Sequence, residues 1–378
     1  MTGWDGWRSP VSGEPLHADT PHSLSDGAQR WPVVEAIPFL RANRRALADA
    51  ALQALDDGDT VEATVRLLAD QDDWARTPPP SDDARRHLVR QSDALSFRAA
   101  MDLLAFGPVA TYFAHRWSDP TFLSGLALAE AHAAPGPLFE LACGAGHFLR
   151  EFARHSVSAT GADIVFAKLW LARRYIAPTA RLVCFDAAEP WPLPRAAYAT
   201  VFCHDAFYFL PNKPHIAQEM RRVGTGPILV GHAHNALVDT LSSGDPLSPA
   251  AYAALFGAAT LYDDRELTAA LVECRPPQPA MADALATAPA ISMAIDSGPA
   301  RTILHGVAMP PPGAPLRRNP LYDGMTIRWP STRYETEYAA LATYPAQASG
   351  PLEAIAGTDP ATDALARRRI LLDLPHKW

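Results

Sequence analysis

The stretch Phe139-Glu140-Leu141-Ala142-Cys143-Gly144-Ala145-Gly146-His147-Phe148 runs from a short apolar segment through a small-residue loop into a helical pattern. Gly144 and Gly146 let the backbone approach a ligand closely, and a helix starting near His147 points unpaired N–H groups at whatever lies there. Alone, a G-x-G pair is compatible with an ordinary βα turn. Its acidic partners change the reading. Asp163 closes a second apolar run in Gly161-Ala162-Asp163-Ile164, and Asp186 closes a third in Val183-Cys184-Phe185-Asp186-Ala187. Glu140, Asp163 and Asp186 stand at equal intervals, as successive βα units place them. In a doubly wound sheet the acid after the second strand reaches the ribose of a nucleoside lying over the first loop. Three carboxylates at one sheet edge suit a ligand rich in donors: an amino group, ribose hydroxyls and an adenine amine. The plainer alternative is three acids that only cap the helices after them.

A second group of reactive side chains follows. His204 and Asp205 close a fourth apolar run, and His232 and His234 close a fifth, where their i, i+2 spacing puts both imidazoles on one face of a strand. Histidine titrates near neutrality and can take a proton from a phenol, hydroxyl or ammonium. His204 is the first choice for such a base, with His232 or His234 second. The alternative is that His204 packs beside the ligand and Asp205 caps the next segment. His-x-His with a carboxylate also has the form of a divalent-metal site, but the sequence offers no fourth ligand, so no metal is expected. Phe207 and Tyr208, beside Phe209, supply an aromatic wall for an apolar or cationic substrate.

The elements that must position these residues are legible from periodicity. Strands are expected at Leu138–Leu141, Ser158–Asp163, Arg181–Phe185, Tyr198–Cys203 and Pro227–Gly231, alternating with helices at about 147–155, 166–175 and 213–222. Alternating βα units imply a parallel, doubly wound sheet. Upstream, residues 39–132 read as all-helical, with a helix stopping at Asp57-Gly58, a capping-box-like start at Asp59 and Glu62, an apolar face running to Trp74, and a cap at Ser81 or Asp82. Residues 1–38, rich in Pro and Gly, read as a loose arm. Downstream of His234, Pro249–Phe256 and Asp264–Glu273 look helical, and Ile291–Ile295, Thr302–Val307 and Met325–Trp329 are each a candidate late strand. The expected division is 1–38, 39–132, 133–308 for the ligand-binding domain, and 309–378 for a C-terminal extension packing on it. The helical segment and Trp329, Tyr334, Tyr338 and Tyr344 are expected to cover the sheet edge and shape a substrate pocket.

Composition bounds the partners. The chain of 378 residues is 48% apolar and 20% charged, enough for a sizeable core, and has no apolar run long enough for a membrane span. A net charge of −8 disfavours nucleic acid, whose affinity rests on Lys/Arg neutralisation of phosphates. Four cysteines without C-x-x-C spacing read as reduced thiols in a cytoplasmic protein. A small-molecule substrate is expected; oligomeric state is not legible.

Residues 138 to about 234 resemble the catalytic domain of class I S-adenosylmethionine-dependent methyltransferases. Glu140-x-Ala142-x-Gly144-x-Gly146 resembles that family's first motif, which holds the methionine part of the cofactor. Gly161-Ala162-Asp163, followed by Ile164, resembles the second, implying that Asp163 takes the ribose hydroxyls. Phe185-Asp186-Ala187 resembles the third, implying that Asp186 binds the adenine amine and Ala187 offers a backbone N–H. The segment from Tyr198 to Asp205, with Phe207–Pro211 after it, resembles the fourth strand and places His204 beside the cofactor. Ala142 replaces the usual first glycine, tolerable at negative φ. The resemblance implies an α/β fold, a Rossmann-like doubly wound sheet of the class I methyltransferase type, with an all-helical N-terminal extension and an α+β C-terminal segment. It also implies methyl transfer from S-adenosylmethionine; a small-molecule acceptor is expected, with oxygen preferred, although N- or C-methylation would use the same cofactor site. The alternatives are an inactive binding scaffold of the same fold and a nicotinamide-dependent oxidoreductase. The latter fits less well because the third glycine of G-x-G-x-x-G would be Leu149.

Overall fold

The computed structural model describes residues 4–72, 75, 78–239, 244–304 and 306–378. At its centre lie seven strands: β1 (Leu138–Leu141), β2 (Ala159–Asp163), β3 (Arg181–Cys184), β4 (Thr200–His204), β5 (Ile228–His234), β6 (Ala259–Asp263) and β7 (Ala290–Ile295). Their spatial order is β6-β7-β5-β4-β1-β2-β3. β1 to β5 run parallel, and β7 runs antiparallel between β5 and β6. Strands buried on both faces need no polar alternation, which is why these segments read as short apolar runs. Chain order reverses between β1 and β4, the switch point where a doubly wound sheet opens a crevice at its strands' carboxyl ends.

Strand parity divides the core. Leu138 and Phe202 face one layer, whereas Phe139, Leu141, Val201, Cys203, Ile228 and Val230 face the other. The first layer contains most of the helices: α1 (Arg45–Asp56), α2 (Thr60–Leu67), α3 (Asp82–Gln91), α4 (Phe97–Leu103), α5 (Pro108–His115), α6 (Pro120–His132), α7 (His147–Arg154) and α8 (Phe166–Leu171). The second layer holds α9 (Lys213–Val223) and α10 (Pro249–Phe256). Helix α11 (Asp264–Glu273) returns to the first layer and packs on α6. The expected caps are present: Asp59 accepts from the Glu62 N–H at 2.8 Å and Ser81 from the Ala84 N–H. Trp74 lies outside the described residues.

The N-terminal segment departs from the loose arm expected for residues 1–38. Its described residues form a four-stranded antiparallel sheet from His17–Thr20, Ser23–Ser25, Arg30–Val34 and Ile37–Pro38. Trp7, Leu16, Leu24 and Trp31 bury against Phe139, Trp191 and Leu193, so four large apolar groups outweigh the Pro/Gly texture. The Leu40 N–H then donates to the Cys184 carbonyl at 2.7 Å, tying this sheet to β3. The described residues of 39–132 are largely helical. α6 is buried on every side between β5 and α11, and it forms a layer of the central domain.

In the C-terminal segment, Pro315–Arg318 pairs with Glu353–Ile355 and Leu371–Leu372. The described residues of 302–307 form no strand, and of the expected Met325–Trp329 strand Thr326–Ile327 pairs in a hairpin with Tyr322–Asp323. The strand β6 had no clear sequence signal. Helix α12 (Thr332–Tyr338) carries Tyr334 and Tyr338 into a small apolar cluster with Tyr344, beside α13 (Pro360–Arg367). The Tyr344 hydroxyl donates to the Ser118 carbonyl at 2.9 Å, and the Trp378 indole N–H donates to that of Ala114. The segment thus clamps the chain between α5 and α6. Among the described residues, no helix is long and apolar enough to cross a membrane.

Arg41 and Asp70 form a fully buried ion pair at 2.6 Å, and the other Asp70 oxygen accepts from the Phe166 N–H. Removing one partner of such a pair strands a buried charge at a cost of about 3–5 kcal/mol. Arg41→Met is therefore expected to lower unfolding stability by that amount in denaturant titration. Arg41→Met with Asp70→Asn should recover most of the loss.

Candidate active site

A cavity of about 1260 Å³ opens over the carboxyl ends of β1, β2, β4 and β5. Its floor begins with the loop after β1. The Cys143 N–H donates to the Ala162 carbonyl at 2.9 Å, and the Gly144 N–H donates to Asp163 Oδ2 at 3.0 Å. Gly144 and Gly146 are left-handed at φ +54° and +82°. Ala142 is left-handed as well, at φ +55°, contrary to the negative φ expected for it. That conformation costs a non-glycine residue about 1–3 kcal/mol, and the paired backbone on either side holds it. Ala142, Cys143 and Gly144 line the cavity; Gly146 does not. A side chain on Gly146 would meet Ala172 and Ala177, so this glycine admits the chain following α8 and starts α7.

The three equally spaced acids arrive together at this cavity. Glu140 is buried in the middle of the sheet between Gly161 and Phe202, and its Oε2 has no hydrogen-bond partner. Burial pushes its carboxyl well above the usual range, only partly offset by Arg116, while Asp163 raises it further. Asp163 accepts from the Gly144 and Val165 N–H groups, and Lys168 stands 3.6 Å away. Asp186 accepts from the Ala188 N–H and, at 3.1 Å, from the Asn43 side chain. Ile164 and Ala187 also line the cavity. Asn43 brings the segment before α1 to this site, a contact with no sequence motif to announce it.

His204 lies under α6. It shares strand parity with Phe202, and its Nε2–H donates to the Thr121 carbonyl at 2.8 Å. Its Nδ1 is buried without a partner, 2.2 Å from where a side chain on Gly231 would begin and 2.7 Å from one on Gly125. Burial, with Arg116 nearby, brings its pKa down to about 3. The imidazole expected to be the leading base is therefore a wedged, neutral group whose free lone pair faces two glycines. Phe207 is also corrected. The turn Phe207–Phe209 has about three residues per revolution, so neighbouring side chains diverge. Phe207 packs on Tyr252 and Phe256, while Tyr208 and Phe209 line the cavity.

The other strand-end residues form one network. Asp205 Oδ2 accepts from the Tyr112 hydroxyl at 2.7 Å and Oδ1 from the Tyr208 hydroxyl at 3.1 Å, with Arg116 at 3.4 Å. Burial alone would raise Asp205, but His232 and Arg116 carry it down to about 2. Gly231 and His232 together oppose Ser292 of β7, a β-bulge that turns His232 out of simple alternation at φ +49°. His232 Nδ1 then donates to Asp264 Oδ2 at 2.6 Å, leaving Nε2 3.9 Å from Asp205. Burial lowers His232, yet Asp205 and Asp264 outweigh it and raise the imidazole to about 9. Asp264 is further fixed by the Ser292 and Ser124 hydroxyls. His234 stacks on Tyr208 with centroids 3.9 Å apart. Arg116, paired with the buried Asp119, and Tyr334 and Tyr338 of α12 complete the wall.

Residues 138–225 match the model of a methyltransferase domain. They form a methyltransferase domain of the class I type. The cofactor of this domain class is S-adenosylmethionine, and the residues present fit it: an orphaned buried carboxylate oxygen for a cation, a glycine loop for close approach, and acids after β2 and β3. Solved structures similar to the chain include the PH0226 protein of Pyrococcus horikoshii, at 23% identity over 26% of this chain and 46% of that one, TM-score 0.24. The phosphoethanolamine N-methyltransferase 2 of Haemonchus contortus, in complex with S-adenosyl-L-methionine, matches at 18% identity over 43% and 40%, TM-score 0.30. An S-adenosylmethionine-dependent methyltransferase of Thermotoga maritima matches at 12% identity over 49% and 92%, TM-score 0.35. The chain thus spans less than half the length of the first two. No curated protein matches the chain. The methyltransferase domain also answers the nicotinamide alternative: Leu149, in place of the third glycine, packs into the space left by Gly161 of β2.

Burial raises the Glu140 carboxyl, and a cationic cofactor beside it favours the ionised form, so binding is expected to displace its proton. S-adenosylmethionine is expected to bind more tightly as pH rises, by up to tenfold per unit below the Glu140 pKa. Calorimetry in buffers of different ionisation heat should register the released proton, and Glu140→Gln should abolish both effects.

Proposed function

We propose that this protein is a methyltransferase acting on the oxygen of a small-molecule acceptor. S-adenosylmethionine supplies the electrophilic methyl group. The chain's own residues have three tasks. Glu140, the loop at Ala142–Gly144, Asp163 and Asp186 bind and orient the cofactor. Tyr112, Tyr208, Tyr334 and Tyr338 exclude water and offer flat apolar faces to the acceptor. Asp205 and His232 present polar atoms at which an acceptor hydroxyl is held.

The observation that carries the preference for oxygen is Arg116. This guanidinium is buried beside Asp205, lines the cavity, and is raised above its ordinary value by Tyr112 and the carboxylates around it, despite burial. A permanent cation there opposes an ammonium acceptor and favours an oxygen that ionises as it reacts. The small-molecule reading is supported by the contribution of α12 to the lining of the cavity, where Tyr334 and Tyr338 narrow it. With the chain clamped by the C-terminal segment, the 309–378 extension is part of the acceptor site rather than an appendage.

The test is to incubate the full chain with S-adenosylmethionine and matched panels of aromatic alcohols and amines, following S-adenosylhomocysteine and the product mass. Methylated hydroxyl products are expected. Tyr338→Ala should raise the acceptor KM about tenfold while changing cofactor affinity less than twofold. Methylated amines alone would overturn the oxygen reading, and a cofactor-binding chain with no turnover on any panel would favour the scaffold alternative.

A further inference from the structure

We propose that Asp205, His232 and His234 form a divalent-metal site at the acceptor end of the cavity. Each offers one donor atom, and these atoms lie within 4.8 Å of one another. His232 Nε2 and Asp205 Oδ1 are 3.9 Å apart. An ion with bonds of about 2.1 Å joins donors roughly 3–4 Å apart, so modest side-chain rotation closes the set.

The surroundings orient the donors as a metal site requires. The Nδ1–H of His232 is held by the Asp264 carboxylate, which leaves Nε2 as the nitrogen whose proton a bound ion displaces. Asp264 is itself fixed by Ser292 and Ser124, and Asp205 by Tyr112 and Tyr208. Such outer hydrogen bonds commonly set the orientation of ligating imidazoles and carboxylates. The backbone points the same way. Asp205 and His232 are both non-glycine residues in the left-handed region, at φ +56° and +49°, and the bulge on β5 aims His232 toward Asp205.

His204 stays outside the set, because its Nε2 is committed to Thr121 and its Nδ1 faces glycine. Two imidazoles and one carboxylate suit a first-row ion such as Zn²⁺, Fe²⁺ or Mn²⁺, not Ca²⁺ or Mg²⁺, which take oxygen ligands. Three protein ligands leave positions open toward the cavity. This inference rests on the oxygen reading above and deepens it: an acceptor hydroxyl engaged there gives its proton to solvent at lower pH and is held facing the cofactor.

The experiment is calorimetric titration of the full chain with Co²⁺ and with Zn²⁺, with and without S-adenosylhomocysteine, together with the visible spectrum of the Co²⁺ form. One ion per chain is expected, with a ligand-field spectrum of nitrogen and oxygen donors. His234→Gln and Asp205→Asn should each weaken Co²⁺ binding more than tenfold, and Asp264→Asn about tenfold to a hundredfold. S-adenosylhomocysteine binding by each variant reports an intact cavity. Stoichiometric binding lost in the variants supports the site. Absence of Co²⁺ and Zn²⁺ binding by a chain that binds S-adenosylhomocysteine overturns it, as does Co²⁺ binding that survives His234→Gln and Asp205→Asn. A chain that takes the ion but not the nucleoside keeps the metal site and sinks the cofactor reading instead.

Discussion

Glu140 lies on β1, the middle of the five parallel strands, with one carboxyl oxygen buried and unpartnered. Burying a polar group without a partner is costly, and native structures retain such a group where a ligand completes it. The rest of the cavity is arranged around that demand. The glycine loop brings backbone within reach of the same space, Asp163 pins the loop through the Gly144 N–H, and Arg116 lines the same cavity. A cationic nucleoside answers both the charge and the shape.

Segments far apart in sequence hold this arrangement. The N-terminal sheet extends β3 through Leu40 and delivers Asn43 to Asp186. α6 covers His204 and β5, while its N-terminal Asp119 pairs with Arg116. The C-terminal segment fastens the α5–α6 chain from outside through Tyr344 and Trp378 and contributes Tyr334 and Tyr338 to the wall. Much of the cavity wall is thus built by parts that flank the methyltransferase domain, whereas Glu140, Asp163, Asp186 and Asp205 lie within it.

This division also explains what was legible in the sequence. The cofactor half is local: a strand, a turn and an acid repeated three times give Glu140, Asp163 and Asp186 their positions directly, and the same periodicity places β1 to β5. The acceptor half depends on contacts that no spacing records. Asp264, the first residue of a helix, reads as an ordinary helix-start acid until β7 sets it beside His232. His204 was a natural base by type and position; only the packing of Gly125 and Gly231 against its ring shows it to be wedged. Phe207 and Tyr208 are indistinguishable by composition, and a single turn sends one into the core and the other to the cavity. The N-terminal segment has the Pro/Gly texture of a loose arm, yet Trp7 and Trp31 anchor it to the core, a contact no local pattern records.

The most direct test of the central claim is calorimetric titration with S-adenosylmethionine, S-adenosylhomocysteine and a nicotinamide dinucleotide, with Asp163→Ala as the comparison. Asp163 supplies a charge-assisted hydrogen bond and anchors the glycine loop, so its loss is expected to weaken binding by about 1.5–3 kcal/mol, roughly tenfold to a hundredfold. Saturable binding of both sulfur nucleosides, weakened in the variant and absent for the dinucleotide, is the predicted result. A folded chain that binds neither sulfur nucleoside, or binds them equally well without Asp163, would contradict the account.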